Sequence, residues 1–394
     1  MSEASEGALE ELAQRFTRIT LKPLAKTGEI ELKGGPCLSF PVQAPQEDDS
    51  SLEAISYYFG TRTVQVVTKG GHSFEVDMDE GGDVSPVDGR KVVYLDQCHW
   101  STLAKRLNGG NMASSEVSAA DKFIDLARSR NLILPMSAGH FVETTATFGE
   151  KRVGLASTIL SLSRGWRMRH PIQVRKDEVR SLLSARAQEI EWMPPPVFTL
   201  DPAGMFDERL PQEGAHAFPV EISRLLNQLT CIAADYDTLM EPDQIESERI
   251  GVWESTYTKV MNDQEFRSLS KVRRRSASHG LVILDISTEV ARIFSELHVA
   301  EGDVSEFTRH LHANVPSMPF WGLYADALDF RLSQGNTKWQ SNDLIDMLYL
   351  SCAAGYADLV VAERAATNYL NAAWGDRRGK CPVVRNLAQA VERL

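Results

Sequence analysis

"KVVYLDQCHWSTLAKRL", residues 91–107, runs a short apolar segment into an acid, Asp96, and then resumes with helical spacing. A continuous apolar run followed by a helix is how a strand buried on both faces of a parallel sheet reads. An acid where such a strand turns is either a turn residue or the first ligand of a metal site. The same grammar recurs further on. "SAADKFIDLARSRN" (118–131) has helical periodicity, "LILPM" (132–136) reads as a second buried strand, and Ser137 stands as N-cap of the helix carrying "GHFVETT". Near the end, "SNDLIDMLYLSCAAGYA" (341–357) reads as a helix with Ser341 as N-cap. "DLVVA" (358–362) reads as a strand, "ERAATNYLNAAW" (363–374) as a helix, and "CPVVRNLAQAVERL" (381–394) as strand then helix. Alternation of this kind predicts an α/β fold, a parallel sheet flanked by helices.

Outside that frame the pattern changes. After an acidic, amphipathic amino terminus, residues 28–85 alternate β-type runs with glycine turns, as in "EIELKGGPCLSF", "ISYYFGTRTVQVV" and "KGGHSFEVDMDEGG". They predict a small antiparallel unit, closed by the Gly- and Pro-bearing linker "DEGGDVSPVDGR" (79–90), so a boundary is expected near residue 88. On this reading 1–88 is a small α+β unit and 89–394 a larger α/β domain. Residues from about 150 to 335 form a helical insertion in it, interrupted by "WMPPPVFTLDPAG" (192–204) and "LPQEGAHAF" (210–218). No internal repeat and no low-complexity tract is evident.

At 394 residues, with 43% hydrophobic and 24% charged residues, the chain can bury a large core. No apolar run approaches the roughly 20 residues that cross a bilayer, and the amino terminus lacks a secretion signal, so a cytoplasmic protein without membrane contact is expected. The cysteines, Cys37, Cys98, Cys231, Cys352 and Cys381, form no C-x-x-C pair and are read as reduced thiols. A net charge of −12 disfavours indiscriminate nucleic-acid binding. Residues 151–180 run against that balance, with Lys151, Arg152, Arg164, Arg167, Arg169, Arg175, Lys176 and Arg180 against Asp177 and Glu178. "KVRRR" (271–275) is a second basic cluster, read as surface.

In an open parallel sheet, function gathers in the crevice at the carboxyl ends of the strands. Asp96 ends the first strand there, and Glu363 ends "LVVA" on the same side if the two strands are parallel. Asp358 precedes that strand and belongs at its opposite end. Asp343 and Asp346 are three apart on one helix face, and Glu143 follows His140 by three on another. Carboxylates gathered this closely repel one another unless a cation neutralises them, and oxygen donors suit Mg²⁺ or Mn²⁺. Zinc is disfavoured, because no H-E-x-x-H or His/Cys spacing accompanies His99 and His140. Neither G-x-S-x-G nor a P-loop is present.

"VVYLDQCHWSTLA", "LPMSAGHFVETT" and "NDLIDMLYLSCAAGYADLVVAERAATNYL" together resemble the PIN-domain nucleases, over 91–150 and 335–394. The resemblance implies a PIN-like fold in which Asp96, Glu143, Asp346 and Glu363 are catalytic, and in which Asp96, Glu143, Asp343, Asp346, Asp358 and Glu363 are candidate metal ligands. It implies hydrolysis of phosphodiester bonds, expected to be those of RNA, with Mg²⁺ or Mn²⁺ as cofactor. Arg164, Arg167 and Arg169 would contact phosphates and Trp166 in "WRMRH" would stack a base. A toxin or defence effector held by a regulatory protein partner or as a homo-oligomer is compatible with that chemistry. The alternative is a catalytically inactive PIN-like module for RNA binding or protein assembly.

Overall fold

The computed structural model describes residues 11–42, 51–78, 87–186, 193, 195–205, 220–240, 250–297, 309, 311–334, 343–375 and 380–394. In chain order its strands are β1 (Phe16–Lys22), β2 (Thr27–Leu32), β3 (Cys37–Pro41), β4 (Leu52–Tyr58), β5 (Thr63–Thr68), β6 (Ser73–Asp77), β7 (Lys91–Leu95), β8 (Leu132–Ile133), β9 (Arg167–Met168), β10 (Phe198–Thr199), β11 (Leu359–Val361) and β12 (Val383–Val384). The helices are α1 (Gln97–Leu107), α2 (Ser114–Arg128), α3 (Ala138–Thr145), α4 (Gly149–Ser163), α5 (Pro171–Arg186), α6 (Val220–Met240), α7 (Ile250–Asn262), α8 (Gln264–Ser268), α9 (Lys271–Asp285), α10 (Ser287–Glu296), α11 (Trp321–Ser333), α12 (Asp343–Tyr356), α13 (Arg364–Trp374) and α14 (Leu387–Val391). The expected N-cap Ser341, the segment 210–218 and most of the expected linker 79–90 lie outside the described residues.

Contacts divide the chain into two interleaved units: Met1–Arg90 with Trp100–Arg169 and Phe198–Ile245, and Lys91–His99 with His170–Val197 and Glu246–Leu394. The boundary expected near residue 88 therefore does not isolate the amino-terminal segment. Its sheet is tied to later stretches of its own unit. The Phe74 ring meets Tyr236 of α6 edge-on at 5.3 Å, and Asp237 accepts from the backbone N–H and the hydroxyl of Ser51 at 2.9 and 2.8 Å.

In the first unit, the six-stranded sheet has the order β3-β2-β1-β4-β5-β6 and is antiparallel throughout. Alternation builds its buried face: Val64 and Val66 of β5 point inward while Thr63, Gln65 and Val67 are half-buried. The sheet is also a duplication, contrary to the expectation of no internal repeat. Each strand of the second trio begins 36 residues after its counterpart: Phe16 and Leu52, Thr27 and Thr63, Cys37 and Ser73. A register irregularity follows Phe16 in one trio and Leu52 in the other. Lys26 and Arg62 occupy the same left-handed turn position, at φ 53 and 54. Where β1 meets β4, Leu21 faces Ile55 and Ile19 faces Tyr57, the pattern of a local two-fold. Thr20 and Ser56, equivalent residues of the two copies, lie on that axis with their hydroxyls 2.9 Å apart.

The same unit buries an ion pair. Arg167, only 1% exposed, donates from Nη1 to Asp235 at 2.6 Å and to the Pro202 carbonyl at 3.1 Å, and from Nε to the Gly165 carbonyl at 3.1 Å. Burial pushes the Asp235 carboxyl above its ordinary range and Arg167 opposes that push.

The second unit holds the parallel strands that the sequence anticipates. β11 pairs in parallel with β7, Val360 opposite Tyr94, and with β12, Val360 opposite Val383. Its helices are fixed by buried carboxylates. Glu178 of α5 accepts from the first N–H groups of α11, Phe320 at 2.8 Å and Trp321 at 2.9 Å, and from the Tyr356 hydroxyl of α12 at 2.7 Å. A carboxylate there meets both the unfilled donors and the positive end of the helix dipole. Gly355 lets α12 lie against the chain entering α11, since a Cβ at that position would fall 2.9 Å from the Pro319 backbone. The second basic cluster lies on the surface, with Lys271, Arg273 and Arg275 exposed, and also fastens α9 to α11. Arg275 pairs with Asp326 at 2.6 Å, His279 with Asp326 at 2.8 Å, and Arg274 lies 3.7 Å from Asp329. Among the described residues no helix is long and apolar enough to cross a membrane.

Candidate functional site

Asp96 stands where β7 turns, and its carboxylate joins two chain segments. Oδ1 accepts from the Gln97 N–H at 2.8 Å and Oδ2 from the Glu363 N–H at 3.1 Å, while its own N–H donates to Val361 at 2.8 Å. It is thus a turn residue that ties the carboxyl ends of β7 and β11 together. Burial raises its pKa, and the two N–H bonds work against that rise.

At the other end of the same strands, Asp358 performs the mirror task. Its carboxylate accepts from the Val92 N–H at 2.8 Å and its N–H donates to the Val92 carbonyl at 3.0 Å. Along β7 the four residue steps from Val92 to Asp96 separate the two clamps by about 13 Å at roughly 3.3 Å per residue. Asp358 accordingly drops out of the expected ligand set.

Asp346 lies near the start of α12, half-buried, and no hydrogen bond or ion pair reaches its carboxylate among the described residues. Burial first, then the charges of Asp96, Asp343 and Glu363, pushes its pKa up to about 7. Asp343, one turn earlier, accepts from Arg331 of α11. Glu363 occupies the N-cap position of α13, exposed and without a side-chain cap bond. Asp96, Asp343 and Glu363, at the ends of β7 and β11 and the start of α12, thus act on Asp346 through their charge. They couple without converging: among the described residues no three His, Cys, Asp or Glu side chains are placed to hold one metal ion. The N–H bonds of Asp96 and the Arg331 contact of Asp343 orient those carboxylates toward protein partners.

His99 is 8% exposed, and burial lowers its pKa against the opposing pull of the Ala362 carbonyl and Glu363. Arg331 and Tyr369 were not expected here, and no spacing marks them, because they come from separate elements.

Glu143 lies on α3 in the first unit, half-buried, with its backbone carbonyl accepting from Thr147 at 3.3 Å. His140 is spoken for as the partner of a capping box. Its Nδ1 accepts from the Ser137 N–H at 3.1 Å, and its own N–H donates to the Ser137 hydroxyl. Ser137 is thus the N-cap that the sequence suggests.

The expected phosphate-binding stripe is mostly committed elsewhere. Arg167 is buried with Asp235, and Arg164, 13% exposed, donates to Asp77 at 2.9 Å and lies 3.2 Å from Glu75. Arg175 and Arg180 pair with Glu289 and Glu296. Trp166 is 2% exposed beneath the Arg90 guanidinium, 5.2 Å from its ring centre, so it offers no face to a base. Of the named residues, Arg169 is half-buried and Lys151 exposed.

The chain matches no protein-family model, no curated protein and no solved structure.

Proposed function

We propose that this chain is a divalent-metal-dependent nuclease of the PIN-like kind acting on RNA, with Asp96, Asp343, Asp346 and Glu363 as the metal-holding acids. The observation that carries this reading is the Asp346 carboxylate, which sits among three further acids with no cation of its own. Its donors are oxygen only, the set that hard cations prefer. Mg²⁺ or Mn²⁺ bound there would supply Lewis acidity and a water of lowered pKa for attack on a phosphodiester. Asp96, held by two N–H groups, keeps a fixed orientation at the strand ends. Asp346, with a pKa of about 7, exchanges a proton near neutral pH. Arg331, the cation paired with Asp343, would offer its guanidinium to a phosphate. Purified protein incubated with single-stranded RNA and Mn²⁺ is expected to degrade it, and Asp346→Asn is expected not to. Equal degradation by the two removes the acids from the reaction.

A second reading has its own support. Asp343 is engaged by Arg331, the acids do not converge as they stand, and Arg164 and Arg167 are committed to internal partners. A PIN-like module for RNA binding or assembly, without catalysis, fits those observations. RNA retention without metal binding or cleavage distinguishes it.

A further inference from the structure

β3 and β6 are equivalent outer edges of the duplicated sheet, and the chain finishes them differently. Their backbones are oriented alike. The Val42 N–H donates to the Lys26 carbonyl at 3.1 Å, and the Thr68 N–H to the His72 carbonyl at 3.0 Å. Alternation from those bonds through the registers of the two hairpins turns Leu38 and Phe40 toward β2, and Phe74 and Val76 toward β5. Cys37 and Ser39, like Glu75 and Asp77, therefore aim their N–H and C=O groups off the sheet. On β6 that outer side is closed. The Asp77 N–H donates to the Arg164 carbonyl at 2.8 Å, Glu75 pairs with Arg130 at 3.0 Å, and Phe74 meets Tyr236 at 5.3 Å. On β3 it is open. Among the described residues nothing pairs with its outer edge, and it carries no charge. Leu38, the counterpart of the 6%-exposed Phe74, is 52% exposed. An uncharged edge with free donors and an apolar side chain is a template for another strand.

We propose that β3 pairs antiparallel with β3 of a second copy of this chain, joining two sheets into one across a two-fold axis at Leu38. The features of the edge select this occupant. Within the chain, equivalent trios already join in this way, β1 to β4, about the axis marked by Thr20 and Ser56. Pro36 and Pro41, which have no N–H to give, bracket the open stretch. In the register that sets Cys37 opposite the partner's Ser39, every outward N–H between those prolines finds a carbonyl. The same register sets Leu38 opposite the partner's Leu38 on the buried face of the sheet. It thereby extends the apolar row that runs from Val64 through Tyr57, Ile19 and Ile30 to Leu38. Because β3 is uncharged, the net charge of −12 sets no like charges of the two strands against each other. Nothing in this contact depends on the acids of the second unit.

Sedimentation equilibrium of the full chain is expected to show a monomer–dimer equilibrium. Leu38→Lys, which sets two ammonium groups face to face, is expected to weaken it by about 10-fold or more without lowering the Tm, since the site is exposed in the monomer. Ser39→Pro removes an outward N–H, keeps the bonds to β2, and is expected to act likewise. Crosslinking with diamide as oxidant reads the register, with Cys37→Ser as the baseline. In that background Leu38→Cys sets two thiols opposite each other at the axis, with Cα atoms about 4.5 Å apart, and is expected to form a disulfide-linked dimer. Ser39→Cys in the same background leaves its Cα atoms beyond the roughly 7 Å that a disulfide spans, and is expected not to. A wild type that stays monomeric up to roughly 200 µM overturns the proposal and leaves the edge to a strand of another protein. Undiminished dimerisation of Leu38→Lys, or equal crosslinking or none in the two cysteine variants, overturns the pairing at Leu38.

Discussion

Asp235 is buried and Asp346 half-buried, and both have their carboxyl pKa raised by burial, yet the chain treats them in opposite ways. Asp235 is given a dedicated guanidinium at 2.6 Å whose remaining bonds go to backbone carbonyls. Asp346 is given three further acids, with Arg331 turned to Asp343. The first arrangement is electrically complete, so its role is to hold the fold. The second is incomplete, and a structure tolerates an incomplete charge set where something outside the chain completes it. The contrast separates a structural acid from a candidate functional one more sharply than burial does.

The largest effect expected is on the complete pair. Arg167→Met alone leaves a buried carboxylate without its counter-charge and is expected to destabilise by about 3–5 kcal/mol. Arg167→Met with Asp235→Leu is expected to recover most of that loss, because two apolar side chains of similar volume need no mutual neutralisation. Urea denaturation of both variants checks this. A double variant as unstable as the single one would make Asp235 depend on more than its arginine, and the contrast with Asp346 would weaken.

For the incomplete group the prediction has the opposite sign. The Asp346 pKa is about 7 in the fold, above the ordinary 3.8, so the folded chain binds this proton more tightly than the unfolded one. Between those two values stability must then fall as pH rises, by up to about 4 kcal/mol over the whole interval, and level off above it. Asp346→Asn is expected to remove that slope and to raise the Tm at pH 8, where the native carboxylate is charged. Millimolar Mn²⁺ is expected to raise the Tm of wild type at pH 8 and not that of the variant. A pH-independent wild type would mean that the acids do not press on one another, and the candidate site would lose its physical basis.

How much of this was legible in the sequence depended on whether the signal was local. β7, β11 and the helices after them are written in short apolar runs and helical spacing, and Ser137 announces α3 as a cap should. Asp96, Asp343, Asp346 and Glu363 are legible together because each lies at a strand end or a helix start, and parallel strands bring those points to one side. The duplication in the first sheet was not legible. Its copies share Ile19 with Ile55, Thr27 with Thr63 and the triplets at 33–35 and 69–71, while most other positions differ. Register is set by alternation and turn geometry, which tolerate such exchange. The arginines misled for a related reason. A basic run along the chain does not say which acid each residue meets, and Asp77 and Asp235 come from distant elements. Tyr369 and Arg331 carry no pattern and become visible only once α11, α12 and α13 are packed.

The smallest effect separates the two clamps of β7 and β11. Asp358→Ala deprives the Val92 N–H of its acceptor, for which about 1–2 kcal/mol is expected. Asp96→Asn should cost a similar amount: one amide oxygen still accepts an N–H, but the NH₂ now faces a second N–H donor where a carboxylate oxygen stood. As stability changes the two substitutions are near twins, so they control for each other. Their consequences for function should differ. Asp358→Ala is expected to keep Mn²⁺ affinity and RNA cleavage within about twofold, since it lies about 13 Å away along the strand, whereas Asp96→Asn is expected to lose cleavage. If both lose cleavage alike, strand-end rigidity is what matters and Asp96 is no more a ligand than Asp358. If only Asp96→Asn does, its position among the other acids decides the matter.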